Sequence, residues 1–203
     1  MSIKSALILS QKSKPYVKVL INMQKIVVVD YDPNWPKIFE QIHSGIWPIL
    51  NDIALAIEHV GSTSVIGLAA KPIIDISVIV PTTVEIQISI DRLTKLGYVH
   101  RGNLGIEGRE AFISPEGTPA HYLYLCPQNS LGLANQLAVR DYLRTHATSV
   151  EEYSKLKKQL ANDFTNDIMS YIHGKTDLII RILQSAQFSP DQLKMIERAN
   201  RKS

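Results

Sequence analysis

Cysteine is almost missing from this chain: Cys126 stands alone among 203 residues. One thiol excludes an internal disulfide and any multi-cysteine metal site, and it fits a reducing compartment, so a cytoplasmic location is expected. Charge of one sign is also scarce. The 22 basic residues outnumber the 19 acidic ones by only 3. That is too little to argue for nucleic acid or a membrane surface, but it suits a small anionic ligand. Long apolar runs are missing too, and none approaches the roughly 18 residues that a membrane-spanning helix needs. The basic and apolar opening, "MSIKSALILSQKSKPYVKVLINMQK", is broken by lysines and has no clear small-residue cleavage site. A secretory signal is therefore not expected. Internal repeats and low-complexity tracts are lacking as well.

What remains is ordinary globular composition, 45% hydrophobic and 20% charged, in a chain long enough for one domain with a substantial core. Met23 stands just before the first strand-like run. Residues 1–22 accordingly read as an N-terminal extension or an upstream start, 23–187 as the domain, and 188–203 as a loosely held helical tail. Nothing in the sequence fixes the oligomeric state.

The valine-rich "KIVVVDY" (25–31) predicts a short strand. Trp35, Ile38, Phe39, Ile42, Ile46, Ile49 and Leu50 then recur at steps of three and four, the stripe of an amphipathic helix. Asp32 or Asn34 can cap its start, and Pro48 is expected to bend or shorten its last turn. "ALAIEHV" (54–60) and the nearly all-apolar "IIDISVIV" (73–80) predict strands, the second buried on both faces. A helix follows over "TVEIQISIDRLTKLGY", stopped by Gly97. "EAFIS" and "AHYLYLC", joined by "PEGTP", predict an antiparallel pair. From residue 130 the pattern turns helical. One helix covers "LGLANQLAVRDYLRTH"; a second opens on a capping box, Ser149 with Glu152. That second helix carries Val150, Tyr153, Leu156, Leu160, Phe164 and Ile168 on one face. A third covers "TDLIIRILQSAQ".

Chemistry concentrates in "EHVGSTSVIGLAAKPIIDISVIV" (58–80). Glycine lets a backbone approach a phosphate closely, and serine hydroxyls beside exposed amides can bind its oxygens, so Gly61, Ser62 and Ser64 are candidate phosphate ligands. Alone, a Gly-Ser turn is more often just a turn. Asp75 adds weight, because a carboxylate inside an apolar strand needs a metal, a base or hydrogen bonds. It shares its strand face with Ser77. The plainer alternative leaves Asp75 near a strand end, meeting solvent or Lys71.

A Gly-Ser turn, a short helix and an aspartate on the next strand resemble the opening motif of the polymerase-beta-like nucleotidyltransferases. More specifically, "HVGSTSVIGLAAKPIIDISV" closely resembles the GrpB family, usually assigned to that superfamily. "LGYVHRGNLGIEGREAF", "HYLYLCPQNS", "LAVRDYLRTH", "YSKLKKQLA" and "YIHGKTDLI" are similar to later family segments. The resemblance extends from about residue 25 to about residue 183. It implies an α/β (α+β) fold, a nucleotidyltransferase-like mixed sheet flanked by helices with a helical C-terminal part. It also implies a nucleotide or another phosphorylated small molecule as ligand, magnesium as cofactor, and Asp75 as metal ligand and catalytic acid. Active nucleotidyltransferases place a second acid two residues after the first and a third on a later strand. Here those places hold Ser77 and the tyrosine-rich "AHYLYLC", so nucleotidyl transfer competes with a non-catalytic nucleotide-sensing or protein-interaction role. Glu107 or Glu110 would have to complete a two-metal site. Lys71, Arg109, Arg140, Tyr171 and Lys175 are the remaining candidate anion partners. Lys71 and Arg109 could equally be surface charges, Arg140 could pair within its helix, and Lys175 could simply favour a helix end. His121 could serve as a metal ligand or base, although a hydrogen-bonded sheet histidine is the commoner case. His59 is expected to fix the Gly-Ser turn, and Cys126 to be an inert core residue.

Overall fold

The computed structural model describes residues 25–202; the proposed extension over 1–22, and Met23, lie outside the described residues. Five strands form one mixed sheet in the order β1-β2-β5-β4-β3. They are β1 (Ala56–Val60), β2 (Ile74–Val80), β3 (Val99–His100), β4 (Glu110–Ile113) and β5 (His121–Pro127). The β2–β5 pair is parallel and the other three pairs are antiparallel. Before β5 lie the helices α1 (Trp35–Leu50) and α2 (Val84–Lys95). After it come α3 (Leu131–Thr145), α4 (Ala147–Asp163), α5 (Ile168–Gly174), α6 (Thr176–Ser185) and α7 (Pro190–Lys202). No helix among the described residues is long and apolar enough to cross a membrane.

Strand alternation divides the chemistry between the two faces of the sheet. One face carries Ile74, Ile76, Val78, Leu123, Leu125 and Phe112, which pack with Trp35, Phe39, Ile42, Ile46 and Leu50 of α1 and Leu93 of α2 in the main core. Burying each large aliphatic side chain is worth about 1.5–3 kcal/mol, so this face dominates stability. The other face carries Asp75 and Ser77 of β2, with Tyr122 and Tyr124 beside them in register on β5. The C-terminal helices arch over that polar face. Its far end is apolar, where Ile79 and Cys126 meet Leu133 of α3.

Several expectations change. The 25–31 segment makes a single bridge, Val29 to Ala70, rather than a strand. Its Ile26 amide bonds instead to the Thr165 carbonyl, 2.7 Å away, so the segment's hydrogen bonds go to two different parts of the fold. Asp32, not Asn34, supplies the side-chain acceptor before α1, taking the Asn34 amide at 2.8 Å. Helix α1 runs two residues past Pro48. The capping box at Ser149 is not used: the His146 carbonyl already accepts the Ser149 and Val150 amides, and α4 begins at Ala147. Glu152 pairs with Arg181 instead. Phe164 and Ile168 are not on that helix, which stops at Asp163, and Asp167 caps a new one by accepting the Met169 and Ser170 amides. The expected loose tail is the helix α7, with Ile196 5% exposed and Arg201 paired to Asp177 of α6.

Candidate functional site

The Gly-Ser turn and the strand aspartate meet in one cleft. Gly61, Ser62, Asp75, Tyr124, Tyr153 and Lys175 line a cavity of about 220 Å³, with Asn135, Gln136 and Arg140 of α3 and Asn200 of α7 around it. Gly61 is needed here for two reasons. Its backbone has φ +69° and ψ −171°, a region open essentially to glycine. A Cβ at this position would also lie 2.8 Å from the Asp75 Cβ and collide with its carboxylate. The close approach of turn to acid therefore selects glycine. Ser62 sits within hydrogen-bonding reach of the Tyr153 hydroxyl. Ser64 faces elsewhere: its hydroxyl donates to the Gly61 carbonyl at 2.6 Å and its carbonyl accepts from Arg144. It shapes the turn. His59 also holds the turn, through Thr63 at 2.9 Å, and stacks on Phe39. Burial pushes its pKa down to about 4, so it is neutral at pH 7.

Four cations among the described residues act on the Asp75 carboxylate: Lys71, Lys175, Lys157 and Arg109. Each stands over a tyrosine ring. Lys71 is 5.7 Å from the centroid of Tyr122, Arg109 4.6 Å from Tyr124, Lys157 4.3 Å from Tyr153 and Lys175 4.5 Å from Tyr171. A ring face attracts a cation without consuming its N–H donors. The arrangement thus gathers positive charge around the cleft, and of the four Lys175 lines the cavity itself. The spacing of Tyr171 and Lys175, four apart, delivers the contact expected of a shared helical side, although Lys175 stands just beyond the end of α5.

Lys157 is the residue that sequence reasoning missed. It is 2% exposed, and its ammonium has no hydrogen-bond partner among the described residues. It lies on the buried stripe of α4, where Val150, Tyr153, Lys157 and Leu160 recur at steps of three, four and three. A lysine inside an apolar stripe was the available signal. Burial, and then the neighbouring Lys175, drive its pKa well below the ordinary lysine value, with Asp75 opposing. The Arg109 Nε and the Asn135 Oδ1 are likewise buried without partners among the described residues.

The other candidates take structural roles. Arg140 lines the cleft, but its Nη1 donates to Glu58 at 2.6 Å and to the His59 carbonyl at 3.1 Å, and its Nε donates to Asp141 at 2.7 Å. It ties α3 to β1. Ser77, fully buried, donates to Gln136 Oε1 at 2.7 Å. His121 lies on the opposite face from Asp75, in register with Ile74. Its Nδ1 donates to the Pro119 carbonyl at 2.6 Å, which leaves Nε2 to accept from the Tyr98 hydroxyl at 2.8 Å. With both nitrogens committed and burial lowering its pKa, His121 is a sheet residue and not a metal ligand at this site. Cys126 is sealed, its thiol pushed up to about 12 by burial.

Magnesium does not fit as a two-ion pair. No group of three or more His, Cys, Asp or Glu side chains converges among the described residues. Glu58 shares the Asp75 face, through its register with Ser77, but is bound to Arg140. Glu110 faces the other way, in register with Leu125, and pairs with His100 at 2.6 Å. Four cations around one carboxylate repel a dication and favour an anion.

The titrations of this cluster carry opposite signs. Burial raises the Asp75 pKa to about 6 against the pull of the four cations, although part of the residue is open to the cleft. The folded protein then holds more protons than the unfolded chain between pH 3.8 and 6, and stability falls as pH rises through that window. Burial, with Lys71, lowers Lys175 from 10.5 to about 8. In that window the unfolded chain holds more protons, so stability rises with pH. Urea unfolding across pH should show the first slope flattened in Asp75→Asn and the second in Lys175→Met. Slopes unchanged by these substitutions would assign the titrations elsewhere.

Residues 25–185 match the family described as GrpB protein. The chain belongs to that family. Among relatives, the glutamate-rich protein GrpB of Alkalihalophilus pseudofirmus is 30% identical over 168 residues, covering 80% of this chain and 97% of that one. YqkA of Bacillus subtilis is 32% identical over 156 residues, covering 77% of this chain, which matches less than half (46%) of YqkA. The crystal structure of GrpB from Enterococcus faecalis superposes with a TM-score of 0.71 at 32% identity, over 83% of this chain and 98% of that one. The expected mixed sheet flanked by helices is the fold observed. A looser likeness to the Cid1 poly(U) polymerase, TM-score 0.47 at 15% identity over 74% of this chain and 48% of that one, carries no argument about chemistry.

Proposed function

We propose that the cleft binds a nucleotide or another phosphorylated small molecule, and that positive side chains rather than paired magnesium ions meet its charge. The observation that carries this reading is the cation cluster around a single acid: Lys175 lines the cleft with Gly61, Ser62 and Asp75, and the buried Lys157, which has no hydrogen-bond partner among the described residues, acts on the same carboxylate. A buried charge without a partner costs several kcal/mol, and an incoming phosphate repays part of that cost. The Gly61 turn, Ser62 and the uncommitted donors of Lys175 and Lys71 would complete the cradle. The alternative, magnesium-dependent nucleotidyl transfer, would rest on Asp75 alone among the expected acids. The anion reading therefore favours a binding module over a transferase.

Thermal shift with nucleoside di- and triphosphates, in EDTA and in magnesium, separates the two. A ligand at 100 times its dissociation constant adds about 2.7 kcal/mol of stability. Stabilisation in EDTA that survives Asp75→Asn is the expected result. Stabilisation only with magnesium, lost in Asp75→Asn, would instead favour the transferase. No response to any phosphate compound would end the anion reading.

A further inference from the structure

A second and larger chamber adjoins the cation cleft. Its volume is about 660 Å³, within the range usual for small-molecule sites. Asn135 of α3 and Asn200 of α7 line both chambers, so the two adjoin. Here the walls change character. Ile106, Pro127, Leu131, Met195 and Ile196 supply apolar surface, and the charged lining residues are one acid and one base, Glu107 and Arg198. Helix α7 contributes one wall.

Resting on the reading of the cation cleft as a phosphate site, we propose that the natural ligand is a nucleoside phosphate that spans both chambers. Its phosphates lie beside Lys175, Ser62 and the Gly61 turn, and its aromatic base lies against the apolar wall beside α7. An inorganic phosphate or phosphorylated sugar would leave the apolar chamber filled with water. A phosphorylated acyl chain would fill it but leave the polar junction without hydrogen bonds. Asn135 decides between these. Its Oδ1 is buried and unpartnered among the described residues, at the boundary of the two chambers. A buried amide oxygen needs a donor, and the hydroxyls of a ribose or the exocyclic amine of a base provide one. The chamber also has polar atoms at its edge, from Thr83, Asn129 and Ser130, suited to the rim of a heterocycle.

Isothermal titration of the full chain with inorganic pyrophosphate and with the common nucleoside diphosphates tests this. Nucleoside diphosphate should bind at least tenfold more tightly than pyrophosphate, with one base preferred. Met195→Trp, at a position 52% exposed and so tolerant of a larger side chain, should crowd the chamber. It should weaken the diphosphate at least tenfold and leave pyrophosphate unchanged. Equal affinity for the two ligands in the wild type would overturn the spanning ligand while the phosphate cleft stands, and this arm needs no variant. Failure of both to bind would remove the phosphate cleft and this inference together.

Discussion

Gly61→Ala should cost about 3 kcal/mol of unfolding free energy or more, among the largest losses available from adding one methyl group. Two effects combine. Alanine is strained at φ +69° and ψ −171°, and its Cβ would collide with the Asp75 carboxylate. The turn and β2 are both anchored. Ser64 and His59 hold one, and pairing with β1 and β5 holds the other, so neither can retreat cheaply. Urea unfolding should show a lower midpoint with an unchanged slope. A double-mutant cycle with Asp75→Ala separates the causes. The penalty should shrink in that background, because the carboxylate is gone, but not vanish, since the strain and the Asp75 Cβ remain. An identical penalty in both backgrounds would show that backbone strain alone selects glycine.

Lys157→Met should move stability the other way. The ammonium is enclosed by the fold, sits on the Tyr153 ring and has no hydrogen-bond acceptor among the described residues. Replacing a buried amine that makes no hydrogen bond among the described residues by an apolar side chain of similar length should stabilise the fold by about 1–4 kcal/mol. Methionine keeps the length and makes favourable sulfur–aromatic contact. The same substitution should weaken phosphate binding at least tenfold, about 1.4 kcal/mol, because a desolvated charge-assisted hydrogen bond is lost. Greater stability with less binding is the signature of a functional charge held at the fold's expense. Lower stability in Lys157→Met would mean that the lysine is a structural group, and the anion reading would lose its main support.

Much of the cleft was legible before any coordinates. The Gly-Ser turn and Asp75 stand 14 positions apart in the chain, from 61 to 75, and the all-apolar run around the acid marks a strand whose one carboxylate needs a partner. Tyr171 and Lys175 were readable because i and i+4 share a helical side. One helix signal and one strand signal failed, and both were local. The Ser149–Glu152 pair had the right spacing, yet a carbonyl one turn earlier closed the helix first. The 25–31 run had strand composition, yet its hydrogen-bond partners came from Ala70 and Thr165, which no local pattern announces.

Amino-acid order alone settled which strands alternate and which family the chain resembles, because both can be read along the chain without knowing what packs on what. Packing alone decided the site's electrical sign. The four cations come from positions 71, 109, 157 and 175, and no local pattern says that they converge on one carboxylate. Charge acts through space and burial through enclosure, and neither quantity exists until distant segments have been brought together.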